Sequence, residues 1–212
     1  MLLTQKSNPL SFEAQFMTHP YLNVAAICPR TRVLGPGQRF VIWVQGCCFD
    51  CPQCISPAWR ARKPAKLFTI PELSEAILQT SDIEGITLSG GEPMLQAGKL
   101  HQLVVRVKAV RPLTVICYTG FTLEALREIG AQDVIDFTEN IDVLIDGPYI
   151  DELNNDTGLR GSSNQRIHFL TGIYKGHEDQ FLNGQRNLEM HMFEERVLTV
   201  GIHARNWKKP VR

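Results

Sequence analysis

Apolar positions along this chain switch between two periods. Phe40–Val44, FVIWV, is an unbroken apolar run long enough only for a buried strand. Gly85–Leu88, Leu113–Tyr118, Asn140–Ile145 and Arg166–Leu170 supply four more short strand candidates. Between them the period becomes helical. Ile70, Leu73, Ala76 and Ile77 share one face after Thr69-x-x-Glu72, a capping box with Pro71 in the first turn, where a missing N–H costs nothing. Leu100, Leu103, Val104 and Val107 share another within about Ala97–Val110, which leaves His101 off that face. Thr122 caps a third helix, Leu123–Ile129, and Gly130 stops it. Strands that alternate with helices from residue 40 to 170 predict parallel β/α units and an α/β fold.

The ends read differently. Residues 1–20 have no period and form an arm, followed by a short strand at Tyr21–Cys28. Residues 60–68 carry Arg60, Arg62, Lys63 and Lys66, which make either a solvated loop or a basic rim for an acidic partner. Asp151–Gln165 is polar, glycine-bearing and aperiodic, a loop long enough to serve as a flap. Arg186–Phe193 and Arg196–Ile202 alternate around Glu194-Glu195 and predict a β-hairpin. A basic tail, Asn206–Arg212, ends the chain. No repeat and no composition shift divides it. The expectation is a single domain, 1–212: an arm and first strand to residue 34, a β/α core over 35–170, and a C-terminal loop and hairpin over 171–212.

Chemistry concentrates in Gln45–Trp59, QGCCFDCPQCISPAW. Cys47, Cys51 and Cys54 stand in C-x3-C-x2-C spacing with Cys48 beside the first. Thiolates this close suit one metal centre, since they select iron–sulfur clusters, zinc or Cu(I). A zinc site wants a fourth tight ligand, usually from a second C-x2-C pair, and the chain has none. Three ligands on a 4Fe–4S cluster leave one iron open to a small molecule. Cys28 and Cys117 lie in strands and read as small apolar core residues.

Composition narrows the setting. The chain has 212 residues, of which 43% are apolar, and 22 basic residues balance 22 acidic ones. Zero net charge gives no argument for a nucleic-acid partner or an acidic membrane surface. No apolar run reaches the roughly 18 residues of a membrane span, and the N-terminus lacks the pattern of a signal peptide. The expected location is a reducing cytoplasm, with the cysteines as ligands and not as a disulfide scaffold.

A second motif, Ser89-Gly90-Gly91-Glu92-Pro93, follows the strand at Gly85–Leu88. Successive glycines bring backbone close to a ligand, and Glu92 can accept from an ammonium group. Together the two motifs resemble the radical S-adenosylmethionine (SAM) superfamily. That resemblance implies a partial, open (β/α) barrel of the radical SAM type, here with a C-terminal β-hairpin. It implies a 4Fe–4S cluster on Cys47, Cys51 and Cys54, with Cys48 a non-ligand. It places SAM against Ser89, Gly90, Gly91 and Glu92, with Glu92 on the SAM amino group. The cluster would cleave SAM reductively to a 5′-deoxyadenosyl radical. Thr119, at the end of Leu113–Tyr118, and Asp146, at the end of the next strand, are the remaining pocket candidates. Asp146 also reads as a turn aspartate that caps its own backbone.

Other stretches resemble a narrower group, the activating enzymes of anaerobic ribonucleotide reductase and other glycyl-radical enzymes. They are Gly35-Pro36-Gly37-x-Arg39-Phe40, Asp142-x-Leu144-x-Asp146-Gly147-Pro148, and Arg160-Gly161-Ser162-Ser163-Asn164-Gln165-Arg166. The motif-bearing resemblance covers roughly Gly35–His168. Many radical SAM proteins carry an aromatic residue before the third cysteine, where this chain has Gln53; the reductase activases often lack it too. The implied partners are a glycyl-radical enzyme and a flavodoxin- or ferredoxin-type electron donor. The alternatives are a stand-alone radical SAM enzyme for a small molecule or peptide, an iron–sulfur electron carrier, and a zinc-binding module.

Overall fold

The computed structural model describes residues 20–193, 196–205 and 207. The expected arm before Pro20, the hairpin tip Glu194-Glu195 and most of the basic tail lie outside the described residues. Among those described, one mixed sheet holds seven strands in the order β3-β1-β2-β4-β5-β6-β7. They are β1 (Tyr21–Thr31), β2 (Arg39–Val44), β3 (Lys66–Thr69), β4 (Gly85–Gly90), β5 (Thr114–Tyr118), β6 (Val143–Asp146) and β7 (Arg166–Phe169). The helices are α1 (Ile70–Gln79), α2 (Ala97–Lys108), α3 (Leu123–Ile129), α4 (Gln132–Thr138) and α5 (Glu178–Leu182). A separate antiparallel hairpin pairs β8 (Glu189–Phe193) with β9 (Arg196–Val200). No helix among the described residues is long and apolar enough to cross a membrane.

The centre of the sheet is parallel, β2 to β4 to β5 to β6. Its flanks are antiparallel, with β1 beside β2, β3 beside β1 and β7 beside β6. The last pairing corrects the expectation of parallel units through residue 170. A parallel return needs a crossover of a dozen or more residues, usually a helix. The link from β6 to β7 carries only a three-residue 3₁₀ turn, Asp151–Leu153, so β7 folds back beside β6. The stretch read as a basic loop ends in β3, a four-residue edge strand. Both α4 and α5 are single short helices that the pattern reading missed; Val134 and Phe137 are the buried pair of α4.

The local signals acted as the sequence suggests. The Thr69 side chain accepts from the Glu72 N–H, and Glu72 returns the bond to the Thr69 backbone. Gly130 ends α3 in the left-handed conformation, φ 61°. Strand alternation then sorts the core. Phe40, Ile42, Val44, Ile86, Leu88, Val115, Cys117 and Leu144 pack with the inner faces of α1 to α4. Val41 and Trp43, on the other face, pack with Cys28, Val200 and Ile202. Ile116, Val143 and Ile145 on that same face pack with Phe181. Burying each aliphatic side chain is worth about 1.5–3 kcal/mol, so both faces contribute to stability.

Arg39 occupies that second face at the start of β2. It is fully buried. Its guanidinium donates to Thr87 Oγ1 at 2.6 Å, to the Ile86 carbonyl at 2.6 Å, and to Thr114 Oγ1 at 3.0 Å. Burial lowers its pKa from the ordinary value. Gly35 has φ 137°, and a Cβ there would overlap Arg39 and Ile116. The Gly35-Pro36-Gly37-x-Arg39 stretch therefore ties the starts of β2, β4 and β5 together, at the end of the sheet away from the cysteines.

Candidate active site

The parallel register brings the two motifs together. Val44 at the end of β2 pairs with Gly90 at the end of β4, so Gly46-Cys47 and Gly91-Glu92 leave the sheet side by side. Gly91 N–H donates to the Val44 carbonyl and Glu92 N–H to the Gly46 carbonyl, both at 2.8 Å. A Cβ on Gly91 would overlap the Gly46 carbonyl oxygen, so only glycine permits this approach. The cysteine loop closes on its own C-terminal flank. Gly46 N–H reaches the Trp59 carbonyl at 2.9 Å, Cys47 N–H the Arg60 carbonyl at 3.0 Å, and Gln45 Nε2 the Ala61 carbonyl at 2.6 Å.

One cavity at these strand ends is lined by Cys47, Cys51, Cys54, Ser89, Gly90, Gly91, Glu92 and Thr119. Cys48 and Asp146 are not in its lining. Cys48 turns instead against the helix-side core. All six cysteines of the chain are free thiols. Burial pushes the Cys47 thiol up to about 11 and the Cys48 thiol up to about 12, and it raises Cys54 as well. Backbone N–H groups already point at two ligand candidates: Phe49 N lies 3.4 Å from Cys47 Sγ, and Ser56 N lies 3.4 Å from Cys54 Sγ. Such donors favour the thiolate once a cation draws off the proton. Among the described residues no three His, Cys, Asp or Glu side chains gather tightly enough for a single metal ion.

Glu92 is the buried charge of the site. Oε1 accepts from Met94 N–H at 2.9 Å and from Thr119 Oγ1 at 2.8 Å, and Oε2 accepts from Gly120 N–H at 2.8 Å. Burial raises its pKa to about 7, against the pull of these three donors. A carboxylate offers about four acceptor positions, so one remains. Thr119 thereby holds Glu92 in place, and it also accepts from Phe121 N–H at 3.1 Å.

Asp146 sits elsewhere for a reason of parity. On β6 it shares a face with Leu144, the helix side. There it accepts from Leu123 N–H at 2.6 Å, at the start of α3, and pairs with Arg166 Nη2 at 2.8 Å. His168 Nε2 lies 2.9 Å away. Burial alone would raise its pKa, but Arg166, the Leu123 N–H and His168 outweigh it and hold the carboxyl below the usual range. Arg166 also pairs with Glu124.

Pattern reading missed Tyr118, Tyr149 and Ile202 beyond β9, all of which line the cavity. Gly161 and Gln165, from the stretch expected to serve as a flap, line it too. Gln165 donates to the Gly147 carbonyl at 2.7 Å and accepts from Gly161 N–H at 2.8 Å, so the Arg160–Arg166 stretch forms a braced wall. The expected flap is tied down as well. Arg186 donates to Asn154 Oδ1 at 2.6 Å, to the Gly158 carbonyl at 3.0 Å and to the Arg160 carbonyl. Tyr118 could have been found from its place one residue before Thr119 on the same strand end; Arg186 and Ile202 carry no local signal.

Residues 33–168 match the family model described as a 4Fe-4S single cluster domain. Over 161 residues the chain is 35% identical to the anaerobic ribonucleoside-triphosphate reductase-activating protein of Enterobacteria phage T4, a match covering 73% of this chain and 99% of that protein. The chain belongs to this family of activating proteins. The protein of the same name from Escherichia coli K12 is 33% identical over 158 residues, 70% of this chain and 99% of its own length. The pyruvate formate-lyase-activating enzyme of Staphylococcus epidermidis is 37% identical over 81 residues, 35% of this chain and 32% of that one. As a member of this family the chain is a radical SAM enzyme whose cofactors are a 4Fe–4S cluster and SAM.

The donor set fits that cofactor. Three soft thiols surround one cavity beside a glycine pair that approaches as only glycine can. A buried carboxylate there keeps an acceptor position in reserve.

Proposed function

We propose that this chain generates a glycyl radical on an anaerobic ribonucleotide reductase-like partner. The observation that carries the reading is the shared cavity of Cys47, Cys51, Cys54 and Glu92 in a chain of this family. In this reading the three cysteines would each hold one iron, leaving the fourth for SAM. When bound, the cluster would supply the one-electron reduction that cleaves SAM, and the hydrogen atom removed would come from a glycine Cα of the partner. Glu92, held by Thr119 and Gly120, would accept from the SAM ammonium. Ser89, Gly90 and Gly91 would present backbone to the methionyl group. Cys48 has no ligand role, and Asp146 would act by anchoring α3 and Arg166.

The parallel centre of the sheet supports a partial, open (β/α) barrel over 35–170, part of one domain that runs the length of the chain. The external electron donor would be of flavodoxin or ferredoxin type. The exposed basic residues Arg62, Lys63 and Lys66 after the cysteines support an approach on that side, and Arg62 Nε donates to the Cys47 carbonyl at 3.0 Å. Six free thiols favour a reducing compartment, and we place the enzyme in the cytoplasm.

The test is anaerobic. Enzyme reconstituted with iron and sulfide is reduced and mixed with SAM and a candidate reductase, and EPR is recorded. A glycyl doublet on the reductase is expected. SAM cleavage with no doublet, coupled to turnover of a small metabolite or peptide, would overturn the reading.

A further inference from the structure

The family match ends at residue 168, yet the chain after that point returns to the sheet. Phe181 is fully buried against Ile116, Val143 and Ile145. Its ring meets Phe169 at 5.2 Å and Tyr174 at 5.0 Å. Further on, Val200 and Ile202 bury against Val41 and Trp43. Both groups lie on the sheet face turned away from α1 to α4, the face that a partial barrel would leave open to substrate. The T4 relative is matched over 99% of its length by 73% of this chain, so more than a quarter of this chain has no counterpart there.

We infer that the segment after β7 forms the substrate-side wall of the cavity, and that Ile202 is a specificity-determining residue for the loop that enters. This rests on the proposed function. Gly201 and Ile202 line the same cavity as the cysteines and Glu92. Ile202 approaches it from the C-terminal segment, whereas Glu92 and the glycine pair come from the sheet end. Its neighbours in the apolar cluster include Leu34, Trp43 and Val200, among which the Trp43 indole N–H is the one polar group. The position is also braced. Gly201 has φ 123°, and a Cβ there would overlap the Asn187 carbonyl oxygen, so the turn that aims Ile202 is set by glycine. Nearby, Asn154 Nδ2 donates to the His203 carbonyl at 3.3 Å, joining this segment to the 151–165 loop. The C-terminal segment and the 151–165 loop are thus held in one piece around the mouth. A wall side chain that grows narrows the entry for a peptide loop and leaves the SAM contacts alone.

The experiment is a size series, Ile202→Ala and Ile202→Phe beside the parent enzyme. Iron content and thermal midpoint check folding. Each protein is scored for SAM cleavage without partner and for glycyl doublet yield with the reductase. We expect partner-free cleavage to change by less than threefold across the series. Doublet yield should fall at least tenfold in Ile202→Phe and stay within threefold of the parent in Ile202→Ala. A flat series with a normal parent doublet defeats this inference alone, as does cleavage that falls in step with the doublet. A parent enzyme that cleaves SAM without ever giving the doublet defeats the proposed function and this inference with it. Should Ile202→Phe lose iron, Ile202→Met lengthens the side chain at nearly unchanged volume: a doublet yield that falls while partner-free cleavage stays within threefold supports the inference, and an unchanged doublet defeats it.

Discussion

Replacing Glu92 with glutamine tests the centre of the site with the smallest change of shape. The amide keeps one acceptor oxygen. Placed at the Oε1 position, that oxygen retains Met94 N–H and Thr119 Oγ1. The NH₂ then faces Gly120 N–H, donor against donor, where Oε2 had accepted at 2.8 Å. The reverse orientation sets the NH₂ against Met94 N–H instead, again donor against donor. Two costs follow. One buried N–H is left without a partner, worth about 1–3 kcal/mol of folding stability. A charge-assisted bond to the SAM ammonium is lost, worth about 1.5–3 kcal/mol of binding. At about 1.4 kcal/mol per factor of ten, SAM affinity should fall roughly ten- to a hundredfold. The cysteines are untouched, so iron content after reconstitution should match the parent. The assay is SAM titration of the reconstituted enzyme, followed by the change in the EPR spectrum of the reduced cluster. Unaltered affinity in Glu92→Gln would refute the assigned role. Loss of iron together with affinity would show that Glu92 supports the loop and does not bind SAM.

The other predictions concern separate parts of the molecule. Alanine at Cys47, Cys51 or Cys54 should abolish the brown colour and SAM cleavage, while Cys48→Ala keeps both, since Cys48 packs into the helix-side core; a Cys48→Ala protein without iron would reverse the assignment. Asp146→Asn loses charge-assisted bonds worth about 1.5–3 kcal/mol. At about 2–4 °C per kcal/mol for a chain of this size, its thermal midpoint should drop roughly 3–12 °C near neutral pH, with SAM affinity within threefold of the parent. The folded pKa of Asp146 is depressed, so its contribution is present above the ordinary carboxylate value of about 4 and is lost as pH falls through the lower folded value. The midpoint difference between parent and Asp146→Asn should accordingly shrink below about pH 4, and a difference that grows in acid would contradict the argument. Arg39→Lys trades five donors for three at a fully buried site, so it should lower the midpoint by a similar amount and leave iron content unchanged; a selective loss of activity at normal stability would assign Arg39 a role at the cavity instead.

Much of this molecule could be read without a structure. The strands β2, β4 and β5 and the helices α1, α2 and α3 were legible because each carries its own instructions: an apolar run, a 3.6-residue stripe, the Thr69–Glu72 box, the Thr122 cap and the Gly130 stop. The cysteine spacing and the Ser89–Pro93 motif were equally local, and they were enough to indicate a radical SAM enzyme. What the tertiary structure decided is what depends on neighbours distant in sequence. The antiparallel return of β7 depends on which strand edge the polar link can reach. Parity on β6 sent Asp146 to the helix side, although its place at a strand end suggested the pocket. Thr119 came to hold Glu92 because the register of β4 against β5 put them within 2.8 Å. Arg39 read as part of a family signature, and its buried bonds from β2 to β4 and β5 show why the stretch around it is needed. Ile202 and Arg186 had no local pattern at all: Ile202 packs with Val41 and Trp43, more than a hundred residues before it, and Arg186 bonds Asn154, Gly158 and Arg160 of an aperiodic loop, contacts that no short window of sequence encodes.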